Sequence, residues 1–324
     1  QVSESSVSLS VTVDQTPAAL VSLATSAADQ TISVTYDSEM LESGSPATSA
    51  FTVRQGGTEL VVDSVSVSGA VVTLSVTGLA SGSLQVSYEA PGDTASAIQD
   101  DVGNLPVGFS QIVVSDGYIR GAEVYLDANG DGVAEVGELL SGVTSNSSGE
   151  ILPEGAAAVG ELIIQGGVNV DTGAVNELTM AAPAGYSVVN PLSTIVAEVI
   201  KASDPEVTPL TIEEAEAAVS ASLGITLAEG EDLSSYDPLS DTSEAALSNQ
   251  KVTAQLATVL VIASTSSEDA SAAADAEAAA LSNIANIVVA KAEANETVTI
   301  DAAVVAEVLV DDTGASLVST EKLE

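Results

Sequence analysis

The sequence predicts a multidomain protein in which an all-β sandwich is followed by an α+β part. Three observations carry that reading: apolar and polar residues alternate with period two through residues 7–113, the texture changes at Asp116 to short strands separated by Asp/Gly-rich loops, and apolar stripes of helical spacing run from Asn190 onward. A chain of 324 residues exceeds the usual size of one core, and a hydrophobic content of 45% is enough to build more than one. The apolar residues are mostly Ala and Val, with two Phe, six Tyr and no Trp. Small, stiff side chains therefore fill the cores, as suits repetitive surface modules.

In the first part, "VSLSVTV" (7–13), "TISVTY" (31–36), "FTVRQ" (51–55), "LVVDSVSVS" (60–68), "VVTLSVTG" (71–78) and "LQVSYEA" (84–90) are separated by Gly, Ser or Asp. Short strands at this spacing read as an antiparallel sandwich. Residues 45–110, opening "SPATSAFTVRQGG" and closing "AIQDDVGNLPVGFS", resemble the immunoglobulin-like repeats of large bacterial surface proteins, of the type named after a cyanobacterial swimming-motility protein. The match spans about a third of the chain, and Asp101 stands where those repeats place Ala. "VTVDQTPA" (11–18) is similar to the junction between repeats of giant RTX-type adhesins. That likeness implies a junction strand from a preceding module at 1–14 and an Ig-like β-sandwich at 15–115.

From Asp116, "GYIRGAEVYLDANGDGVAEVGELLSGVTSNSSGEI" reads as strand, loop, turn and strand, and "ELIIQGGVNVDTG" (161–173) adds more β structure. The second half reads as helical. Asn190-Pro191 is an N-cap with proline at the first helical position, and Leu192, Ile195, Val196, Val199 and Ile200 share a face that should end before Pro205. Thr211 and Glu214 form a capping box for a helix closed by Gly224. Asp241 and Glu244 start a third helix with Val252, Leu256, Val259, Leu260 and Ala263 on one stripe. A long fourth helix should turn Ala274, Ala278, Leu281, Ile284, Ile287 and Val288 inward, with Asp275 and Glu277 off that stripe, and a last one covers Ala302 to Leu309. Residues 116–188 are thus a β-module, and 189–324 a helical bundle that either stands apart or forms one unit with it.

Charge narrows the function classes. The chain has 47 acidic residues against six basic ones, Arg54, Arg120, Lys201, Lys251, Lys291 and Lys322, and a formal charge of −41. Six scattered cations cannot displace the counterions of a phosphate backbone, which speaks against nucleic acid and anionic lipid as partners. Self-repulsion on this scale calls for salt or divalent cations. There is no Cys, so disulfides and thiol chemistry are excluded, and no His, which removes the commonest general base and the commonest ligand for soft metals. A carboxylate pair is the one catalytic device left, and the scarcity of aromatic platforms argues against sugar cleavage, so no enzyme is expected. The longest apolar run, Leu256–Ala263, is broken by Thr258 and too short to cross a bilayer. Beginning at Gln1 and ending Lys-Leu-Glu, the chain is expected to be a piece of a longer protein, with Leu323-Glu324 a cloning remnant. Its composition points outside the cell.

One stretch has a spacing that metal chemistry selects. In "YLDANGDGVAEVGE" (125–138), Asp127, Asn129, Asp131, Gly132, Val133, Glu135 and Glu138 fall at positions 1, 3, 5, 6, 7, 9 and 12 of an EF-hand-type loop. Short oxygen-bearing side chains at alternate positions of a tight loop converge on one point, glycine permits the turn, Val133 offers its carbonyl, and a later Glu closes the shell. The strand-like "GAEVYL" before it does not fit a helix-borne sensor, and the loop is more similar to the strand-borne calcium loops of bacterial surface β-modules. Asp14, Asp93, Asp100, Asp101, Asn169 and Asp171 are weaker candidates, since Asp and Asn are ordinary turn formers. Tyr186, Tyr236, Asn283 and Asn286 would either line a cleft or seal the helical core.

Residues 171–200 resemble a region that follows such loops in large adhesins and surface lipoproteins. The expectation is a monomeric, Ca²⁺-stabilised, non-enzymatic segment of a bacterial surface adhesin, located outside the cell, with neighbouring modules of the same chain as partners. A glycan- or peptide-binding tip and a surface-layer lattice protein are the alternatives.

Overall fold

The computed structural model describes residues 14–318 except 45, 56–57, 81–83, 204–209, 230, 241, 268 and 312. The expected strand at 7–13, Pro205, Asp241 and Leu323-Glu324 lie outside the described residues. The chain divides into two compact units. The first comprises Gln1–Phe51, Val61–Leu79 and Tyr88–Gly108, the second Thr52–Leu60, Ala80–Ser87 and Phe109–Glu324.

Among the described residues, six strands occupy the first hundred positions: β1 (Leu20–Ser26), β2 (Thr31–Tyr36), β3 (Phe51–Gln55), β4 (Thr58–Ser68), β5 (Val71–Thr77) and β6 (Gln85–Tyr88). In the first unit the antiparallel order is β1-β2-β5-β4. The two central strands alternate in burial, so Ile32, Val34 and Tyr36 of β2 and Val72, Leu74 and Val76 of β5 all reach the interior. Register places Ile32 opposite Leu74 and Val34 opposite Val72, the same-face pairs that stabilise a sheet. Phe51 and Tyr88 close this core with rings 5.0 Å apart, and the Tyr88 hydroxyl accepts the Ile98 N–H at 3.1 Å. β1 and β4 contain no fully buried residue, which is why "LVSLATS" carries no readable alternation and β1 escapes sequence inspection.

The second unit adds β7 (Phe109–Ser110), β8 (Ile112–Val114), β9 (Ile119–Arg120), β10 (Glu123–Leu126), β11 (Leu139–Thr144), β12 (Glu150–Ile151), β13 (Leu162–Gln165), β14 (Val168–Asn169), β15 (Met180–Ala182) and β16 (Val188–Val189). An antiparallel sheet runs β11-β10-β13-β15, a small one runs β12-β8-β16 with β8 and β16 parallel, and β9 pairs with β14. Among the described residues five helices follow: α1 (Pro191–Ala202), α2 (Ile212–Leu223), α3 (Glu244–Ser264), α4 (Ala270–Ala294) and α5 (Ala302–Val308). One contiguous apolar cluster runs from Ile112 and Val114 through Ile164, Ile195 and Leu256 to Val318, so sheet and helices share a core. Among the described residues the architecture is mixed, with several mainly antiparallel sheets and five helices.

α1 is the hinge of that core. It packs on β15, α2 and α4. Burial extends beyond the expected stripe to Ser193 and Thr194, because their hydroxyls return to the carbonyls of Asn190 and Ala181. Asn190 caps the helix as expected, its Oδ1 accepting the Ser193 N–H at 2.9 Å while Ser193 Oγ accepts the Asn190 N–H. Thr211 and Glu214 form the expected capping box, and Gly224 closes α2 at φ 64°. α3 is capped by Ser243, which bonds the Ala246 N–H.

The expected face of α4 is corrected in its first half. Ala273, Ala276 and Ala280 are buried, Ala274 and Ala278 are exposed, and Glu277 is half-buried, whereas Ile284 and Val288 are buried as expected and Leu281 and Ile287 are partly buried against the same core. In an alanine run either face can pack, so the stripe has no amplitude to read. Asp237, only 4% exposed, ties the segment before α3 to the β8–β9 turn: it accepts from Ser115 Oγ (3.3 Å), Tyr118 Oη (3.0 Å) and the Leu239 N–H (2.9 Å). Burial holds its carboxyl above the ordinary value despite those bonds.

Candidate metal centre

The 127–138 loop is carried by strands. β10 enters it, a 3-10 turn over Val136–Glu138 closes it, and β11 leaves. The Asp127 N–H donates to the Glu161 carbonyl at 3.0 Å, which anchors the loop's first residue to the stretch leading into β13. Asp127 is 7% exposed, and its carboxylate folds the loop around itself: Oδ1 accepts the Gly130 N–H at 2.7 Å and Oδ2 the Gly132 N–H at 2.8 Å. Asn129 Oδ1 accepts the Asp131 N–H (2.9 Å), and Asp131 Oδ1 accepts the Val133 N–H (2.8 Å). These consecutive side chain-to-backbone turns are local, and the spacing alone produces them. Gly130 and Gly132 sit at φ 73° and 78°, a region that penalises a Cβ. At Gly132 a Cβ would also collide with the Lys201 ammonium.

Glu138 bends back across the loop. Its Oε1 accepts the Ala128 N–H at 3.0 Å, while Oε2 is buried and receives no hydrogen bond from the protein. A buried carboxylate oxygen without a donor is costly unless something positive meets it. The donor set suits a hard cation, because each oxygen of Asp127 and Asp131 keeps a lone pair beyond the bond it accepts. Other features do not point that way. Asp131 Oδ2 takes a hydrogen bond from Asn129 Nδ2 at 3.0 Å, Glu135 is exposed, and Val133 is 58% exposed. Among the described residues no three carboxylates are gathered as a metal would hold them.

Gly132, Val133 and Ala134 also form one wall of a cavity of about 190 Å³ whose other walls include Glu198, Lys201 and Glu277. Lys201 Nζ pairs with Glu161 Oε1 at 3.2 Å. Burial raises Glu198, with Lys201 opposing the shift, and lifts Glu277 to about 7 even though its carboxylate accepts the Thr179 N–H at 3.0 Å. None of Glu161, Lys201, Glu198 and Glu277 stands out in the sequence, since each reaches the loop or the cavity from a distant element.

The weaker candidates are engaged in turns. Asp14 accepts the Thr16 N–H, Asp93 caps a 3-10 turn through Ala95, and Asp100 is buried with bonds from Val102 and Asn104. Asn169 Oδ1 holds the N–H groups of Asp171 and Thr172, while Asp101 and Asp171 are exposed. Tyr186 Oη donates to Glu216 at 2.6 Å, Tyr236 Oη accepts from Asn249, Asn283 fastens the carbonyls of Val308 and Val310, and Asn286 is exposed.

A scan of protein-family models finds no match, and a search of curated proteins finds no significant relative. Among solved structures, the N-terminal part of the bacterial S-layer protein SbsC matches with 15% identity, over 54% of this chain and 42% of that one. The chain thus spans less than half of that structure, and the TM-score of 0.23 lies below what a shared fold produces.

Proposed function

We propose that the chain is a calcium-stabilised, non-enzymatic segment of a bacterial surface adhesin, acting as a structural extender outside the cell. The observation that carries this reading is the 127–138 loop: three side chains at alternate positions wrap the backbone, and Glu138 closes over it with one oxygen unpaid by any donor. Asp127, Asn129, Asp131, the Val133 carbonyl, Glu135 and Glu138 would hold the ion. Calcium there would cancel several charges of a −41 chain at once, so that binding free energy becomes folding free energy. The antiparallel first unit with its two alternating central strands is read as the Ig-like module. The lack of Cys and His supports a non-catalytic role.

Calorimetric titration of chelator-treated protein with Ca²⁺ tests the proposal. Heat should be released or absorbed with a defined stoichiometry, and calcium at about a hundredfold above Kd should stabilise by about 2.7 kcal/mol. In Asp131→Ala and Glu138→Gln that gain should shrink to near zero. Absence of heat, with a thermal midpoint indifferent to calcium, would overturn it.

A further inference from the structure

Gly132, Val133 and Ala134 share the cavity of about 190 Å³ with residues of α1 and α4, all within the second unit. Its walls are largely hydrocarbon, with Val133, Ala134, Ala197, Ala278 and Leu281 contributing. The neutral polar groups on the lining are already engaged with the protein. Gln165 Nε2 donates to Thr179 Oγ1 at 3.3 Å, and Thr194 Oγ1 donates to the Asn190 carbonyl at 2.8 Å. They leave the choice of occupant to the charges.

Three charged side chains line the cavity: Glu198, Lys201 and Glu277. Lys201 is answered by Glu161 at 3.2 Å. Glu277 holds the Thr179 N–H through Oε1 at 3.0 Å, which leaves its Oε2 without a donor among the described residues. Glu198 accepts no hydrogen bond from the described residues, and Lys201, one turn along α1, is the one charge that favours its ionised form. Neither glutamate is sealed, since both are half-buried and their free oxygens remain accessible. A carboxylate taken partly out of water without a partner is costly, and burial raises the pKa of both. One ammonium set against Glu161, Glu198 and Glu277 leaves the site short of positive charge whether Glu277 is ionised or protonated.

Size and polarity narrow the missing cation. A hydrated metal ion makes no use of hydrocarbon walls, and among the described residues no three carboxylates converge as a metal requires. An apolar cavity of roughly 150 Å³ already holds benzene, so the volume here takes one six-membered ring with a short arm.

We infer that this cavity binds a small organic cation, a primary ammonium carried on a single ring or an alkyl group of similar bulk, with its charge against Glu198 and Glu277 and its hydrocarbon against Val133, Ala134 and Leu281. No ion in the 127–138 loop is required.

Calorimetry and saturation-transfer NMR on the full chain at physiological ionic strength test it, with cyclohexylammonium and benzylammonium as probes. At least one should bind saturably at one site, while cyclohexanol, of the same shape without the charge, and ammonium chloride, the charge without the ring, should each bind at least about tenfold more weakly. Cyclohexanecarboxylate should not bind. Glu198→Gln should weaken the ammonium probe by roughly tenfold. Ala278→Phe fills the cavity from an exposed position of α4, leaves every carboxylate in place and should abolish binding. Glu89→Gln, an exposed site in the first unit, should change nothing. Absence of saturable binding at millimolar concentration would overturn the inference. Binding that survives Ala278→Phe, or that falls as much in Glu89→Gln as in Glu198→Gln, would reduce it to diffuse attraction by an acidic chain and overturn it equally.

Discussion

Glu277 shows how a single side chain departs from its sequence context. It lies in an alanine run where every face looks alike, yet it is turned toward the interior and its pKa rises to about 7 through burial. An acid whose folded pKa exceeds its unfolded value of about 4.5 favours the fold while protonated in both states, and that contribution is lost as pH climbs from about 4.5 through 7. Glu277→Gln keeps an acceptor for the Thr179 N–H and removes the charge. Urea denaturation should therefore show it to be more stable than wild type by about 1–3 kcal/mol at pH 8 and nearly equal at pH 4.5. Equal gains at both pH values would show that the carboxylate is not desolvated. The 127–138 loop is the opposite case. Its hydrogen bonds join residues two to five apart, so the pattern Asp-x-Asn-x-Asp-Gly contains them before any tertiary contact forms. Glu138 was read as the residue that closes the loop, but its bond to the Ala128 N–H ten residues back was not, and neither were Lys201 and Glu161, because nothing local places them there.

Among elements, those defined by their own ends were readable. Asn190-Pro191, Thr211 with Glu214, and Gly224 mark helix boundaries through backbone groups a few residues away, and the structure places α1 and α2 at those marks. α1 depends on its cap more than most helices, since Asn190 is buried and its Nδ2 also reaches the Tyr236 carbonyl at 3.4 Å. Asn190→Ala should cost about 2 kcal/mol by losing the cap and leaving the Ser193 N–H without its partner, and Asn190→Ser should recover about half. A loss below about 0.5 kcal/mol in chemical denaturation would mean the cap is redundant. Two-residue strands such as β12 and β16 could not be delimited in the sequence. A period cannot be measured over two residues, and their pairing is decided by partners far along the chain, Glu150 with Val113 and Val188 with Val113.

For the whole molecule, division into two compact units with separate cores predicts separable unfolding. Differential scanning calorimetry should resolve two transitions, and adding calcium to chelator-treated protein should raise only the one belonging to the unit that contains residues 127–138. A single transition, or one in which both components move with calcium, would count against this. Raising sodium chloride should lift both, because 47 carboxylates against six cations repel one another in each unit and screening relieves that repulsion.

The buried Asp237 sets a rule for dissecting the chain. Its carboxylate is held by Ser115 and Tyr118 from one side and by the Leu239 amide from the other, inside a core that already merges sheet and helix residues. Scissors placed at Asn190 would not release a β cassette and a helical cassette. They would strand a solvent-starved acid on one fragment and its hydroxyl partners on the other. Any shuffling, truncation or grafting of this protein must therefore keep the strands and helices from Phe109 onward in one piece, together with Thr52–Leu60 and Ala80–Ser87, which belong to the same unit.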